Sequence, residues 1–432
     1  MIPERPDART HSRIFRTALT QGLITREDTA VIYYHLDHLF DRLTYLNHSF
    51  PQGTLHGLAV KACPLFSILQ KIAGKFHGTG VEAASIGEVT LALKAGFPAA
   101  QIVFDSPVKT ISELDNVLKW GIHVNADNLD ELERIDKIAG NLTLQNHLLR
   151  VGLRINPQVG EGSISESSVA GTYSKFGVPI ANRQAIIDAF GHFPWLRGVH
   201  LHVGSQGCKP EMLVEGISRL YDLVEEIQPI RAAKGFLPVR FFDIGGGLPV
   251  AYHSATNAPL MGEYASMIRQ RMPELFDPVQ YQLITEFGRW AFTNAGFTVS
   301  KVEYVKHDPG INTAMLHVGA DLFVRECLNP TAWSHEYSVL DKEGNLKTGV
   351  DEHPWNLAGP LCFSGDIIAK HVVLPPIDAD DYLVIHDTGG YTFSMWSRYN
   401  SRQTPLILGY EQGDIHVLKT RETLDTLHQF WI

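Results

Sequence analysis

Short apolar runs recur along the chain and alternate with stretches of helical period. From residue 55 onward eight runs read as strands: "HGLAVKA" (56–62), "GVEAAS" (80–85), "IVFDSP" (102–107), "IHVNAD" (122–127), "LLRVGLRINP" (148–157), "LRGVHLHVGS" (196–205), "VRFFDIGGG" (239–247) and "YQLITEFGR" (281–289). Between most of them lie amphipathic segments such as "SIGEVTLALKAGF", "TISELDNVLKWG" and "EMLVEGISRLYDLVEEI". Ser85, Thr110 and Asn128 stand where N-caps belong, and Gly96 and Gly121 stand where two helices should close. Eight strands alternating with helices predict a closed, parallel (β/α)8 barrel. After residue 290 the pattern turns β-rich, in "GFTVSKVEYVKH", "AMLHVGADLFV", "DIIAKHVVLP" and "DYLVIHDTGGYTF". The fold class is therefore α/β plus all-β: a barrel over residues 31–290, then a C-terminal β-sandwich or barrel-like domain over 291–432. Residues 1–30 are too few to fold alone and are expected to pack on the β domain.

Composition narrows the class of protein without changing this picture. The 432 residues suffice for a barrel and a second domain, and the net charge of −10 with no basic block gives no sign of a nucleic-acid partner. No run reads as a membrane span, and "MIPERPDARTHSR" has no apolar leader core. The cysteines Cys63, Cys208, Cys327 and Cys362 lack metal-site spacing and are few for a disulfide scaffold. No metal is expected, and a cytoplasmic setting is the simplest.

Lys61 stands out inside "LHGLAVKACP". Strand alternation puts Ala59, Lys61 and Cys63 on one face. An edge strand with a solvated lysine is one reading. In a barrel strand covered on both faces, Lys61 instead points into the protein, where an ammonium must be paired, neutralised or used chemically. Barrel active sites lie at the C-terminal strand ends. Those ends carry Glu82, Asp105, Arg154, His200, His202, Ser205, the triplet Gly245, Gly246 and Gly247, and Glu286 with Arg289. Alternation in "HLHVGS" places His200 and His202 on one face. A glycine triplet suits a phosphate, with Arg289 adding charge. Each signal has a plain structural reading, and the case rests on their convergence on one rim; a buried lysine that forms a Schiff base needs these partners if the aldehyde is pyridoxal phosphate.

With these motifs in view, the sequence resembles the fold-type III pyridoxal-phosphate decarboxylases, the group of diaminopimelate, ornithine and arginine decarboxylases. It is most similar to the diaminopimelate branch. The resemblance runs from about residue 30 to the C-terminus through "LAVKA", "GVEAASIGEV", "LRINP", "SKFG", "GVHLHVGSQ", "DIGGG", "EFGR", "GPLCFSGD" and "GGYTFSMWSRYN". It implies pyridoxal 5'-phosphate as cofactor and a homodimer with shared active sites. By the same resemblance Lys61 matches the Schiff-base lysine, and His202 matches the histidine stacked on the ring. Ser205, Gly245, Gly246, Gly247 and Arg289 match phosphate contacts, and Glu286 matches the carboxylate at the pyridine nitrogen. Cys362 and Tyr391 match residues that reach the other subunit's site, and Arg325 matches an arginine that binds a substrate carboxylate.

Departures fall in the substrate set. The family's glutamate or aspartate after the matching cysteine is Phe363, and the tyrosine expected four residues beyond the substrate arginine is Asn329. Glu326, Cys63 and Leu58 also stand in place of the usual proline, asparagine and tyrosine. A phenyl ring cannot pair with an ammonium as a carboxylate does. The expected activity is decarboxylation of a small amino acid related to diaminopimelate with an altered distal group, in biosynthetic or secondary metabolism. Authentic diaminopimelate decarboxylase and a non-catalytic paralogue are the alternatives; a racemase fits the C-terminal strings less well.

Overall fold

The computed structural model describes residues 4–25, 27–141, 149–164, 168–349 and 351–432. Two compact units divide the chain. One comprises Thr44–Val250 with Ala258–Trp290, and the other Met1–Leu43, Ala251–Asn257 and Ala291–Ile432.

The first unit is the barrel. Its strands are Leu55–Ala59, Thr79–Ala83, Ile102–Asp105, His123–Ala126, Val151–Asn156, Leu196–His200, Phe241–Asp243 and Gln282–Thr285. Each pairs in parallel with the next, and the eighth pairs with the first, which closes the ring. Leu148, read as the start of the fifth strand, lies outside the described residues. The helices begin where the caps predict. Ser85 accepts from the Glu88 N–H, and Thr110 and Glu113 form a reciprocal capping box. Asn128 Oδ1 accepts from the Glu131 N–H at 2.9 Å. Gly96 and Gly121 end their helices at φ 103° and 74°, a left-handed conformation that favours glycine.

Period two explains the barrel interior. Leu55, Val103, Phe241 and Ile284, from four strands, form one buried apolar cluster. Two residues further along three of those strands stand Asp105, Asp243 and Glu286. The interior thus changes from apolar to ionisable toward the C-terminal strand ends.

The second unit is a branched mixed sheet. Its long strand Gly296–Asp308 pairs antiparallel with Ala30–His35, Ile311–Leu316 and Tyr382–Ile385. Ala30–His35 also pairs in parallel with Leu406–Glu411. Residues 31–43 therefore lie in this unit and not in the barrel, a different boundary from the one at residue 30. Helix Ala8–Thr20 places Ile14, Phe15 and Ala18 in a core with Tyr33, Phe297, Val384 and Leu408. Tyr33 stacks on Phe297 with centroids 4.7 Å apart.

Several buried histidines are held neutral. Burial lowers His38 and His56 to about 3, and His123 and His386 to about 4. An unfolded histidine takes a proton below about pH 6.5, so the unfolded state gains protons first as pH falls. Stability present above that pH is lost between about 6.5 and the folded values. Each such group is expected to cost about 2 kcal/mol at pH 5. Thermal unfolding midpoints measured from pH 7 to pH 5 should fall steadily; a flat profile would contradict the neutral assignment.

Candidate active site

The first strand ends at Ala59, and Val60–Ala62 form a single 3-10 turn. Lys61 is therefore not a strand residue pointing into the protein. The turn lifts it onto the rim, where its side chain is 44% exposed and paired with the fully buried Glu82. Burial raises the pKa of Glu82 despite the nearby Lys61 ammonium.

The sixth strand likewise ends at His200, so His202 lies two residues past it and the shared strand face does not apply. His202 Nδ1 accepts from the Gly246 N–H at 3.2 Å, which leaves the ring proton on Nε2. Burial, with Arg154 and Lys61 nearby, lowers its pKa to about 3 and keeps the ring neutral.

The glycine triplet is required by crowding. A Cβ on Gly245 would collide with the Leu201 carbonyl oxygen, one on Gly246 with that of Glu286, and one on Gly247 with that of Gly204. Gly245 and Gly247 also have φ of 63° and 103°. The Gly245 N–H donates to Asp243 Oδ1 at 2.9 Å. The first two N–H groups of the triplet are thus held by side chains. Arg289 Nε donates to Ser205 Oγ at 3.0 Å beside this loop.

The ionisable residues at the strand ends form a connected set that the motif reading left without roles. Arg154 Nη1 lies 2.7 Å from Asp105 Oδ2, His200 Nε2 lies 3.4 Å from the same oxygen, and His200 Nδ1 lies 3.1 Å from Asp243 Oδ2. Asn125 donates to Asp243 at 3.0 Å. Glu286 Oε1 is buried, 4.0 Å from His200 Nδ1, and has no hydrogen-bond partner among the described residues. Burial and the Asp243 charge push the Glu286 pKa well above the usual carboxylate value. The period-two reading of "IVFD", "FFD" and "GVH" carried the signal for this set, because each string ends on an inward position. "SKFG" meets "LRINP" here: the Phe176 ring covers the Arg154 guanidinium at 4.5 Å.

The other expected residues lie in the β unit. Arg325 Nη2 donates to the Tyr391 carbonyl at 2.8 Å, and its guanidinium sits 4.3 Å from the Trp333 ring centroid. Tyr391 has φ 58°, uncommon for a residue with a side chain. Asn329 ends the short helix Val324–Leu328, and its Oδ1 accepts from the Thr331 hydroxyl at 2.9 Å. Cys362 is exposed. Phe363 is 40% exposed and meets Tyr399 edge-on at 6.1 Å. The loop carrying both is clamped by buried Asp366, whose carboxylate accepts from the Ala320 and Leu361 N–H groups at 2.6 Å each.

Comparison with known proteins gives a consistent answer. The family model described as "pyridoxal-dependent decarboxylase, pyridoxal binding domain" matches residues 36–293. Diaminopimelate decarboxylase of Campylobacter jejuni is 30% identical over 404 residues, covering 92% of this chain and 94% of that protein. The Pseudomonas aeruginosa enzyme of the same name is 30% identical over 86% of this chain and 84% of its own length. Among solved structures, diaminopimelate decarboxylase of Helicobacter pylori complexed with L-lysine has a TM-score of 0.82 at 28% identity, covering 95% of this chain and 99% of that one. The lysine/ornithine decarboxylase of Vibrio vulnificus, at 21% identity and a TM-score of 0.75, shows the shared fold.

The residues present fit pyridoxal phosphate. The rim offers an amine on Lys61 and a neutral ring on His202. The triplet packs its backbone against neighbouring carbonyls as no other residue could, and Ser205 and Arg289 meet beside it. Glu286 supplies a buried carboxyl oxygen without a partner, suited to a ring nitrogen. Family match and site chemistry agree: the chain belongs to the pyridoxal-dependent decarboxylases and is a pyridoxal-phosphate-dependent amino-acid carboxy-lyase.

Proposed function

We propose that the enzyme is a homodimer that decarboxylates a relative of diaminopimelate whose distal end is neutral or carries a carboxylate. The observation that supports this substrate is Phe363, a half-exposed phenyl ring where the resembled enzymes place a carboxylate for the distal amine. The Helicobacter relative binds L-lysine, and the Vibrio protein binds putrescine, which places amino acids and amines as the ligand class of these relatives. Authentic diaminopimelate decarboxylase is the second reading, favoured by the names of the relatives. Among the described residues no helix is long and apolar enough to cross a membrane, and a cytoplasmic setting belongs to the same proposal.

When bound, the cofactor supplies an electron sink for the pair left on Cα as CO2 departs. Lys61 would hold the cofactor through Nζ, with Glu82 orienting that amine. Glu286 would hold a proton at the ring nitrogen, and neutral His202 would pack beside the group. Ser205, Arg289 and the loop Gly245–Gly247 would take its phosphate. Arg325 takes a substrate carboxylate in bidentate geometry. Cys362 and Tyr391 act across the dimer in the partner's site. Exposure of Cys362, Phe363 and Tyr399 on one chain accords with a surface that a second copy covers.

Substrate choice tests the proposal. An ammonium buried without its partner costs about 1–3 kcal/mol, or roughly tenfold to a hundredfold in selectivity. Diaminopimelate, lysine and ornithine should therefore be poor substrates beside analogues with neutral or carboxylated ends. Phe363→Glu should move kcat/KM back toward diaminopimelate, with Asn329 limiting the recovery. If the unaltered enzyme turns over diaminopimelate best in that panel, another residue makes the amine contact and the altered-substrate reading fails.

A further inference from the structure

We propose that His200, to which neither the family resemblance nor the comparisons give a role, is a positioning residue: a doubly protonated imidazole that ties the glycine loop to Glu286 and keeps Glu286 available to the cofactor ring. This rests on the assignment of Glu286 to the ring nitrogen. Three geometric facts support it. Both ring nitrogens of fully buried His200 face carboxylate oxygens, Nε2 toward Asp105 at 3.4 Å and Nδ1 toward Asp243 at 3.1 Å. A neutral imidazole carries one N–H and one lone pair, so one nitrogen would turn its lone pair on an anionic oxygen. Neither nitrogen meets hydrogen-bond geometry among the described residues, so these are ion-pair contacts, and only the imidazolium presents an N–H toward both carboxylates.

The second fact is charge. Asp105, Asp243 and Glu286 converge on His200, and Glu82 lies close enough to act on Glu286. The cations are Arg154 on Asp105, Lys61 on Glu82, and buried Lys109, which acts on Asp105 but is paired with Glu131. His123 bonds to Asn125 and stays neutral, so it adds no charge. Without a proton on His200, the buried Asp105 and Asp243 carboxylates would face one guanidinium, and Glu286, already raised by burial and Asp243, would be driven further toward its neutral form. Burial alone would lower the His200 pKa, but Asp243, Glu286 and Asp105 outweigh it and hold it well above the ordinary value.

The third fact is connection. The same Asp243 that pairs with His200 accepts from the Gly245 N–H at 2.9 Å. Glu286 Oε1, 4.0 Å from His200 Nδ1, belongs to the residue just past the end of the next strand, and the Glu286 N–H donates to the Gly245 carbonyl at 2.7 Å. His200 thus sits beneath both the phosphate loop and the ring carboxylate, and touches neither substrate nor reacting atoms.

The experiment follows cofactor loss from the holoenzyme, read as decay of its visible band into a trap, for His200→Gln, Glu286→Gln and the double variant. His200→Gln should release cofactor at least about tenfold faster. In the Glu286→Gln background the same change should add less than about threefold, because His200 acts through Glu286. An equal factor in both backgrounds would make His200 merely structural and overturn the proposal. Unchanged release in His200→Gln beside fast release in Glu286→Gln would overturn it too. Unchanged release and an unchanged band in Glu286→Gln would instead sink the Glu286 assignment, and this proposal with it. Should His200→Gln not fold, neutron diffraction from the unaltered holoenzyme decides. Deuterium on both ring nitrogens supports the proposal, and a bare nitrogen overturns it.

Discussion

Lys61→Ala is expected to lower kcat by at least about 10⁴-fold and to abolish the visible band of the bound cofactor, with the fold retained by circular dichroism. The size follows from position. Lys61 stands on a turn at the barrel rim with its Nζ against Glu82, so its amine is both reachable and oriented. A methyl group offers no nucleophile and no proton carrier at that point. Lys61→Arg separates two explanations. Arginine keeps a positive charge beside Glu82, yet its guanidinium stays protonated and cannot bond to an aldehyde carbon. Equal loss in both variants would identify covalent chemistry as the cause. Turnover by Lys61→Arg within tenfold of the unaltered enzyme would show that Lys61 serves only as a charge.

Mixing Lys61→Ala subunits with Cys362→Ala subunits is expected to restore activity from two inactive parents. If each site takes Lys61 from one chain and Cys362 from the other, a hybrid dimer has one intact site and one doubly altered site. Random exchange makes half the dimers hybrids, so the mixture should approach about one quarter of unaltered activity. In the single chain, Cys362 is exposed on a loop fixed from beneath by Asp366, which presents it outward. No recovery, with subunit exchange shown by mass-tagged chains and with both parents inactive, would contradict a shared site.

Much of the barrel was legible because its strands are short and three of them are followed by helices with a side-chain N-cap. Thr110 with Glu113 and Asn128 with Glu131 mark helix starts by local chemistry, which a sequence displays directly. Strand ends were less legible. "LAVKA" continues apolar past Ala59, and only the backbone turn at Val60–Ala62 reveals that Lys61 leaves the strand. His202 was misplaced for the same reason. The topology of the second unit was hidden because strand Ala30–His35 finds its partners at Gly296–Ser300 and Leu406–Tyr410, hundreds of residues away. Within the site, motif strings pointed to Lys61, the glycine triplet and Glu286. The Asp105–His200–Asp243 set needed the added step of asking which strand positions face inward.

The central claim is that this barrel carries pyridoxal phosphate on Lys61. Borohydride reduction of the purified holoenzyme, followed by peptide mapping, tests it most directly, since reduction makes the lysine–cofactor bond permanent. The account predicts one phosphopyridoxyl label, on the peptide containing Lys61. A label on another lysine, or a reduced holoenzyme that carries none, would contradict it.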